Sequence, residues 1–178
     1  TYFAWKISPE ALSALTKSFP IYFIIIASSI GITVAGTSLI GNSIGEKNNK
    51  NASIYFSQLI FFSFLIILLI TFIGLNYASE VFLIMGSTNK VIYLGLQYTD
   101  IIFLGSFIFI LVVALNSLLH AEGDTKTYRN ALILSFFLNI LLNPILIFGF
   151  YFIPALGMKG IAIATLVAQT VAFLIIFI

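Results

Sequence analysis

Five stretches of this chain carry no Asp, Glu, Lys or Arg: Ser18–Gly45, Asn51–Ser79, Ile101–Ala121, Asn130–Met158 and Gly160–Ile178. Each approaches or exceeds the ~20 residues that cross a bilayer as a helix. Apolar and polar positions do not alternate within them, which removes the strand pattern of a membrane barrel. The pattern predicts helical spans at about 18–44, 53–77, 93–119, 130–152 and 160–178. A short amphipathic lead with Lys6, Pro9, Glu10 and Lys17 precedes the first. Between spans lie the polar loop Gly45–Asn51, a turn with an interfacial piece over Ala78–Lys90, and the turn-rich segment His120–Arg129. Pro154 and Gly157 make the last, tight connection.

Composition sharpens the picture. The 178 residues are 61% hydrophobic and 8% charged, too little polar surface to cover a soluble domain of this size. The fold class expected is an all-α polytopic membrane protein. A net charge of +2 gives no reason to expect nucleic acid. Absence of cysteine excludes disulfide and thiol chemistry. The chain starts at Thr1 and stops at Ile178 inside an apolar run, so it is expected to be a fragment of a longer protein. Alternate loops place Lys47, Lys50, Lys126 and Arg129 on one side and Lys6, Lys90 and Lys159 on the other. The positive-inside rule puts the first group in the cytoplasm, and counting Lys17 makes the two sides equal.

Candidate chemistry concentrates in the fourth span. Asn139 and Asn143 are one helical turn apart and share a face near mid-membrane. Pro144 has no backbone N–H and leaves the Ile140 carbonyl without its helical partner, which makes it a candidate hinge. Such groups are costly against lipid and face protein or a water-filled cavity. Thr165 and Gln169 share a face of the fifth span in the same way. These four polar residues are the expected substrate- or cation-binding set, with interhelical hydrogen bonding as the competing role. Gln58 and Asn116 are further residues able to line a cavity.

Asp100 is the one acid bordering an apolar span, and its place near a helix end favours a solvated or capping role. His120 stands beside Glu122 and Asp124 without the further nitrogen or sulfur ligands a zinc site needs, so no metal is expected. Small residues repeat every fourth position as Ala27, Gly31 and Ala35 in the first span, with Gly41 and Gly45 beyond. Gly160, Ala164, Ala168 and Ala172 do the same in the fifth, and such ridges let helices approach closely.

Four segments together resemble the multidrug and toxic compound extrusion (MATE) transporters. They are Ile40-Gly-Asn-Ser-Ile-Gly-Glu-Lys-Asn48, Leu118-Leu-His-Ala-Glu-Gly-Asp-Thr-Lys126, Leu138-Asn-Ile-Leu-Leu-Asn-Pro-Ile-Leu-Ile-Phe-Gly149 and Leu156-Gly-Met-Lys-Gly-Ile-Ala-Ile-Ala-Thr165. The resemblance implies helices two to six of a six-helix lobe, the N-terminal one, in a twelve-helix, two-lobe transporter. The first helix and the second lobe would then be missing. Many members carry Asn-x-x-x-Asp where this chain has Asn139 and Asn143, and an amide does not titrate. A threonine of the following helix, matching Thr165, is implied to lie near that cluster, and Glu122-Gly-Asp124 resembles the family's cytoplasmic loop.

The implied function is export of amphipathic or cationic drugs and other xenobiotics across the cell membrane. Coupling would be to H+ or Na+, and access would alternate between two lobes. No cofactor beyond the coupling ion is expected; the partners are small organic substrates, that cation and lipid. The nearest alternative is a flippase of lipid-linked oligosaccharides from the same superfamily, which the absence of Lys and Arg from the span cores disfavours. A structural membrane subunit is the alternative from another class. An intramembrane enzyme is not expected, because neither His-Glu-x-x-His nor Gly-x-Ser-x-Gly occurs.

Overall fold

The computed structural model describes residues 2–178, and they form seven helices. These are α1 (Tyr2–Ile7), α2 (Pro9–Gly45), α3 (Asn49–Ile84), α4 (Asn89–Leu104), α5 (Ser106–Ala121), α6 (Lys126–Phe148) and α7 (Met158–Phe177). Four are each long and apolar enough to cross a membrane, and α4 with α5 makes a fifth crossing bent by 45°.

The helices depart from the expected boundaries for local reasons. α2 begins nine residues before the first apolar run, because Ser8 caps it through the amide of Ala11 at 3.0 Å and Pro9 supplies a helical φ in the first turn. It continues through Pro20. α3 starts at an Asn48 cap and runs on to Ile84, past the expected end at Tyr77. The third span is two helices, broken at Gly105, where a Cβ would strike the Leu166 side chain. α6 stops at Phe148, because Gly149 takes φ 80°, a region costly for any residue with a Cβ. The remaining Phe150–Ile153 turn is closed by a pair of backbone hydrogen bonds.

The bend in the third span is stitched from α3. Thr71 Oγ1 donates to the Phe103 carbonyl at 3.1 Å and lies 3.0 Å from Ser106 Oγ, so a hydroxyl satisfies backbone exposed by the break. Phe82, Phe103, Ile102 and Ile110 are fully buried at the centre of the bundle. On one side of the bundle, Lys17 Nζ donates to the Met85 carbonyl at 2.9 Å and to Ser87 Oγ at 3.0 Å. That cation sits at the C-terminus of α3, where the helix dipole favours it. Nearby, Lys90 and Glu10 pair at 2.8 Å.

α6 and α7 form the tightest pair. Gly160 lies so close to α6 that a Cβ would come within 2.6 Å of the Leu146 carbonyl. Asp124 starts α6: its Oδ1 accepts from the amides of Lys126 at 2.9 Å and Thr127 at 3.1 Å. Those bonds, with one from the Thr127 hydroxyl, hold its carboxyl below the usual aspartate range. Gly123 at φ 85° makes the preceding turn.

Candidate functional site: an amide relay between two helices

Close approach of α6 and α7 brings Asn139, Asn143 and Thr165 together. Asn143 Nδ2 donates to the backbone carbonyl of Asn139 at 2.7 Å and to Asn139 Oδ1 at 2.8 Å. A carbonyl only accepts, so the nitrogen of Asn143 must be the end that faces Asn139. Asn139 therefore turns its oxygen to Asn143 and its nitrogen to Thr165 Oγ1, at 3.3 Å. Thr165 in turn donates to the Ile161 carbonyl at 2.9 Å. Backbone carbonyls anchor both ends, so the polarity of the whole relay is determined.

The relay engages most of its donors, while one hydrogen of the Asn139 amide has no acceptor among the described residues. Both hydrogens of the Asn143 amide and the hydroxyl hydrogen of Thr165 are engaged. Asn143 Oδ1 accepts no hydrogen bond from any described residue. The next residue, Pro144, offers no N–H to the Ile140 carbonyl, although α6 runs unbroken through that proline. A cleft of about 380 Å³ opens beside the relay, lined by Asn139, Ile140, Asn143, Ile161, Thr165 and Tyr98 together with Leu15 and residues of α1. None of its lining residues is an acid or a base other than tyrosine. Chemically, this is a neutral pocket that presents an open amide oxygen to a cation or a hydrogen-bond donor beside one amide N–H, and it has no group that exchanges a proton near neutral pH.

Not every expected residue joins it. Gln169 lies in a different cleft, of about 410 Å³, shared with Asn116, Ser29, Thr33, Tyr22 and Tyr128. An i, i+4 step turns a helix by about 400° and climbs about 6 Å, enough to carry Gln169 past the relay. Gln58 faces a large apolar groove between α2 and α3. Asp100 is half-buried on α4 and makes no ion pair or hydrogen bond among the described residues. His120 is exposed, with its ring edge-on to Tyr128 at 6.4 Å. No group of three metal-ligating side chains occurs among the described residues.

Sequence reasoning missed Tyr98 and Tyr22. Tyr98 lines the relay cleft, Tyr22 lines the Gln169 cleft, and both border a third opening of about 480 Å³ between them. Each tyrosine sits in an apolar context that reads equally as lipid contact, so no local signal marked them.

Comparison with known proteins gives a consistent result. The MatE family profile matches residues 1–145. The chain is 31% identical, over 95% of its length, to "Probable multidrug resistance protein YoeA" of Bacillus subtilis. It is 28% identical, over 97%, to "FAD transporter" of Shewanella oneidensis. It spans 36% and 38% of those two relatives. Among solved structures it superposes on an inward-facing multidrug resistance MATE family transporter of the MOP superfamily, with a TM-score of 0.92 and 30% identity. That match covers 98% of this chain and 39% of that one. An outward-facing form of such a transporter gives a TM-score of 0.88 at the same identity, covering 98% of this chain and 38% of that one.

Proposed function

Since this chain belongs to the MatE family, we propose that it is part of a cation-coupled exporter of amphipathic or cationic organic compounds. The reading is of a multi-pass membrane protein and not an enzyme. What supports export is the set of relatives named for multidrug resistance or multidrug export, together with a pocket beside the paired amides of α6. What supports cation handling is the open acceptor of the relay: Asn143 Oδ1 takes no hydrogen bond from any described residue. Oxygen atoms of amides and hydroxyls ligate hard cations without titrating, so this pocket favours Na+ or a substrate ammonium over an exchanged proton. Alternating access would move this helical unit against the rest of the transporter, with Pro144 as a bending point.

The test is efflux of a cationic dye from cells expressing the full-length gene, with the proton and sodium gradients collapsed one at a time. Export that falls with the sodium gradient and drops at least tenfold in Asn143→Ala supports the reading. Export that survives Asn143→Ala unchanged returns the relay to interhelical packing. Absence of efflux from protein shown to be in the membrane moves the reading to a flippase of lipid-linked sugars.

A further inference from the structure

The groove between α2 and α3 takes no part in the relay and runs the full depth of the membrane. On α3 its lining extends from Tyr55 past Tyr77, and those two rings stand about 33 Å apart at the helical rise, close to the ~30 Å of a hydrocarbon core. Tyrosines at that separation mark the two levels where aromatic side chains meet headgroups. Between them the walls are Gly31 and Ala35 from α2 and Phe62, Ile66 and Leu69 from α3. Its volume of about 650 Å³, spread over that length, gives a mean cross-section of about 20 Å². A helix about 10 Å across needs roughly four times that section, so the groove is too narrow for one. A single extended hydrocarbon chain fits.

The two mouths differ in charge. Just outside Tyr55 stand Lys47 and Lys50 with Glu46, all exposed, and neither lysine forms an ion pair among the described residues. At the opposite mouth Glu80 is exposed, and Lys17 is already engaged by the Met85 carbonyl and the Ser87 hydroxyl. Gln58 lines the groove one turn inside Tyr55, exposed and without a hydrogen bond among the described residues. From Lys50 inwards the order is therefore cation, amide, then apolar furrow.

We infer that this groove holds one acyl chain of an anionic phospholipid drawn from the leaflet on the Lys47 side. That order of groups is the order of groups in the lipid. Lys47 and Lys50 meet the phosphate, and Glu46 offsets part of their pull. The Gln58 amide donates to an ester carbonyl, and the chain lies along the furrow beyond it. One leaflet is about 15 Å deep, half the hydrocarbon core. Gly36 packs beside Leu59, so a chain of that length passes Ala35 and reaches the level of Gly31. A Cβ on Gly31 would meet nothing within 4 Å, which keeps the furrow open there. Since lipid tails are as apolar as the groove, the preference for this seat comes from packing in the furrow and from the charged mouth.

Native mass spectrometry of the full-length protein tests this without efflux or an ion gradient, so its failure is distinguishable from failure of the export reading. Dioleoyl phosphatidylglycerol should be retained as one copy held about tenfold tighter than dioleoyl phosphatidylcholine. Gly31→Phe, which puts a ring into the furrow, should lose that copy. Lys47→Gln combined with Lys50→Gln should keep a bound lipid and lose the headgroup preference. Equal retention of the two lipids by the unsubstituted protein overturns the proposal. So does a tight copy that survives Gly31→Phe, or a preference that survives the double substitution. Photolabelling of the unsubstituted protein in nanodiscs needs no variant to fold. Phosphatidylglycerol with a diazirine midway along one chain should label Gly31, Ala35, Phe62 and Ile66 several-fold more than Phe61, Leu65 and Leu68, which are exposed on α3 outside the groove. Equal labelling of the two faces, or a furrow left unlabelled because protein fills it, overturns the proposal.

Discussion

α2 and α7 carry the same motif and meet opposite fates. On α7, Gly160, Ala164, Ala168 and Ala172 are all buried. On α2, Ala27, Gly31 and Ala35 are all exposed, and a Cβ on Gly31 would meet nothing within 4 Å. The second ridge instead borders an apolar groove of about 650 Å³ between α2 and α3. A ridge of small residues states how near another helix can come; whether one comes depends on what anchors it. At α6–α7 there are anchors: Ser135 Oγ donates to the Ala168 carbonyl at 2.8 Å, and the amide relay crosses one turn further on. At α2–α3 the corresponding polar groups are idle, with Ser63 buried and unpartnered and Gln58 exposed.

Substitutions at the two seams probe this contrast directly. Gly160→Val should lower stability by about 3 kcal/mol, since its new atoms would press on the α6 backbone, which cannot swing aside. Thermal unfolding in detergent reads this, and an unchanged midpoint would show that the seam is loose. Ser135→Ala should cost about 1 kcal/mol by the same assay, the usual net value of one hydrogen bond. Gly31→Ala should do the reverse and raise stability by about 0.5 kcal/mol, through helix propensity alone. A loss there would mean that α2's ridge has a tight partner after all.

The smallest effect lies outside both seams, at Glu10. The hydrogen bond from Lys90 holds its carboxyl down to about 2, well below the usual glutamate range. A depressed folded-state value means the contribution is fully present above about pH 4.5 and fades as pH falls towards 2. Both partners are on the surface, so Glu10→Gln should be indistinguishable from the unsubstituted protein at pH 7, or nearly so. Any difference should narrow further in acid, and one that widens there would show the pair has another role.

Much of this architecture was legible in the charge-free runs, because lipid tolerates so few unpaired polar groups that spans announce themselves. The pairing of Asn139 with Asn143 was legible in their four-residue spacing, and the approach of Thr165 was implied by the family resemblance. Helix ends were not, because hydropathy marks where the hydrocarbon stops and not where the backbone stops coiling. α3 therefore runs seven residues past Tyr77, through Glu80. The break at Gly105 was hidden because a Gly-Ser pair inside an apolar run looks like ordinary close packing. Only the Leu166 side chain lying over Gly105, and the α3 hydroxyl waiting at Phe103, distinguish it. Gln169 was assigned to the relay on periodicity, and the drift of about 40° per four-residue step carried it to another cleft.

That elbow at Gly105 has a mechanical meaning. α4 and α5 are 16 residues each, about 24 Å apiece at the helical rise, so end to end they exceed a hydrocarbon core of about 30 Å. Folding the pair by 45° shortens its reach along the membrane normal. A broken span has a joint at which a mismatch in thickness can be taken up, whereas an unbroken helix answers by tilting. Thr71, bonded to Phe103 and within reach of Ser106, ties that joint to α3 from the side.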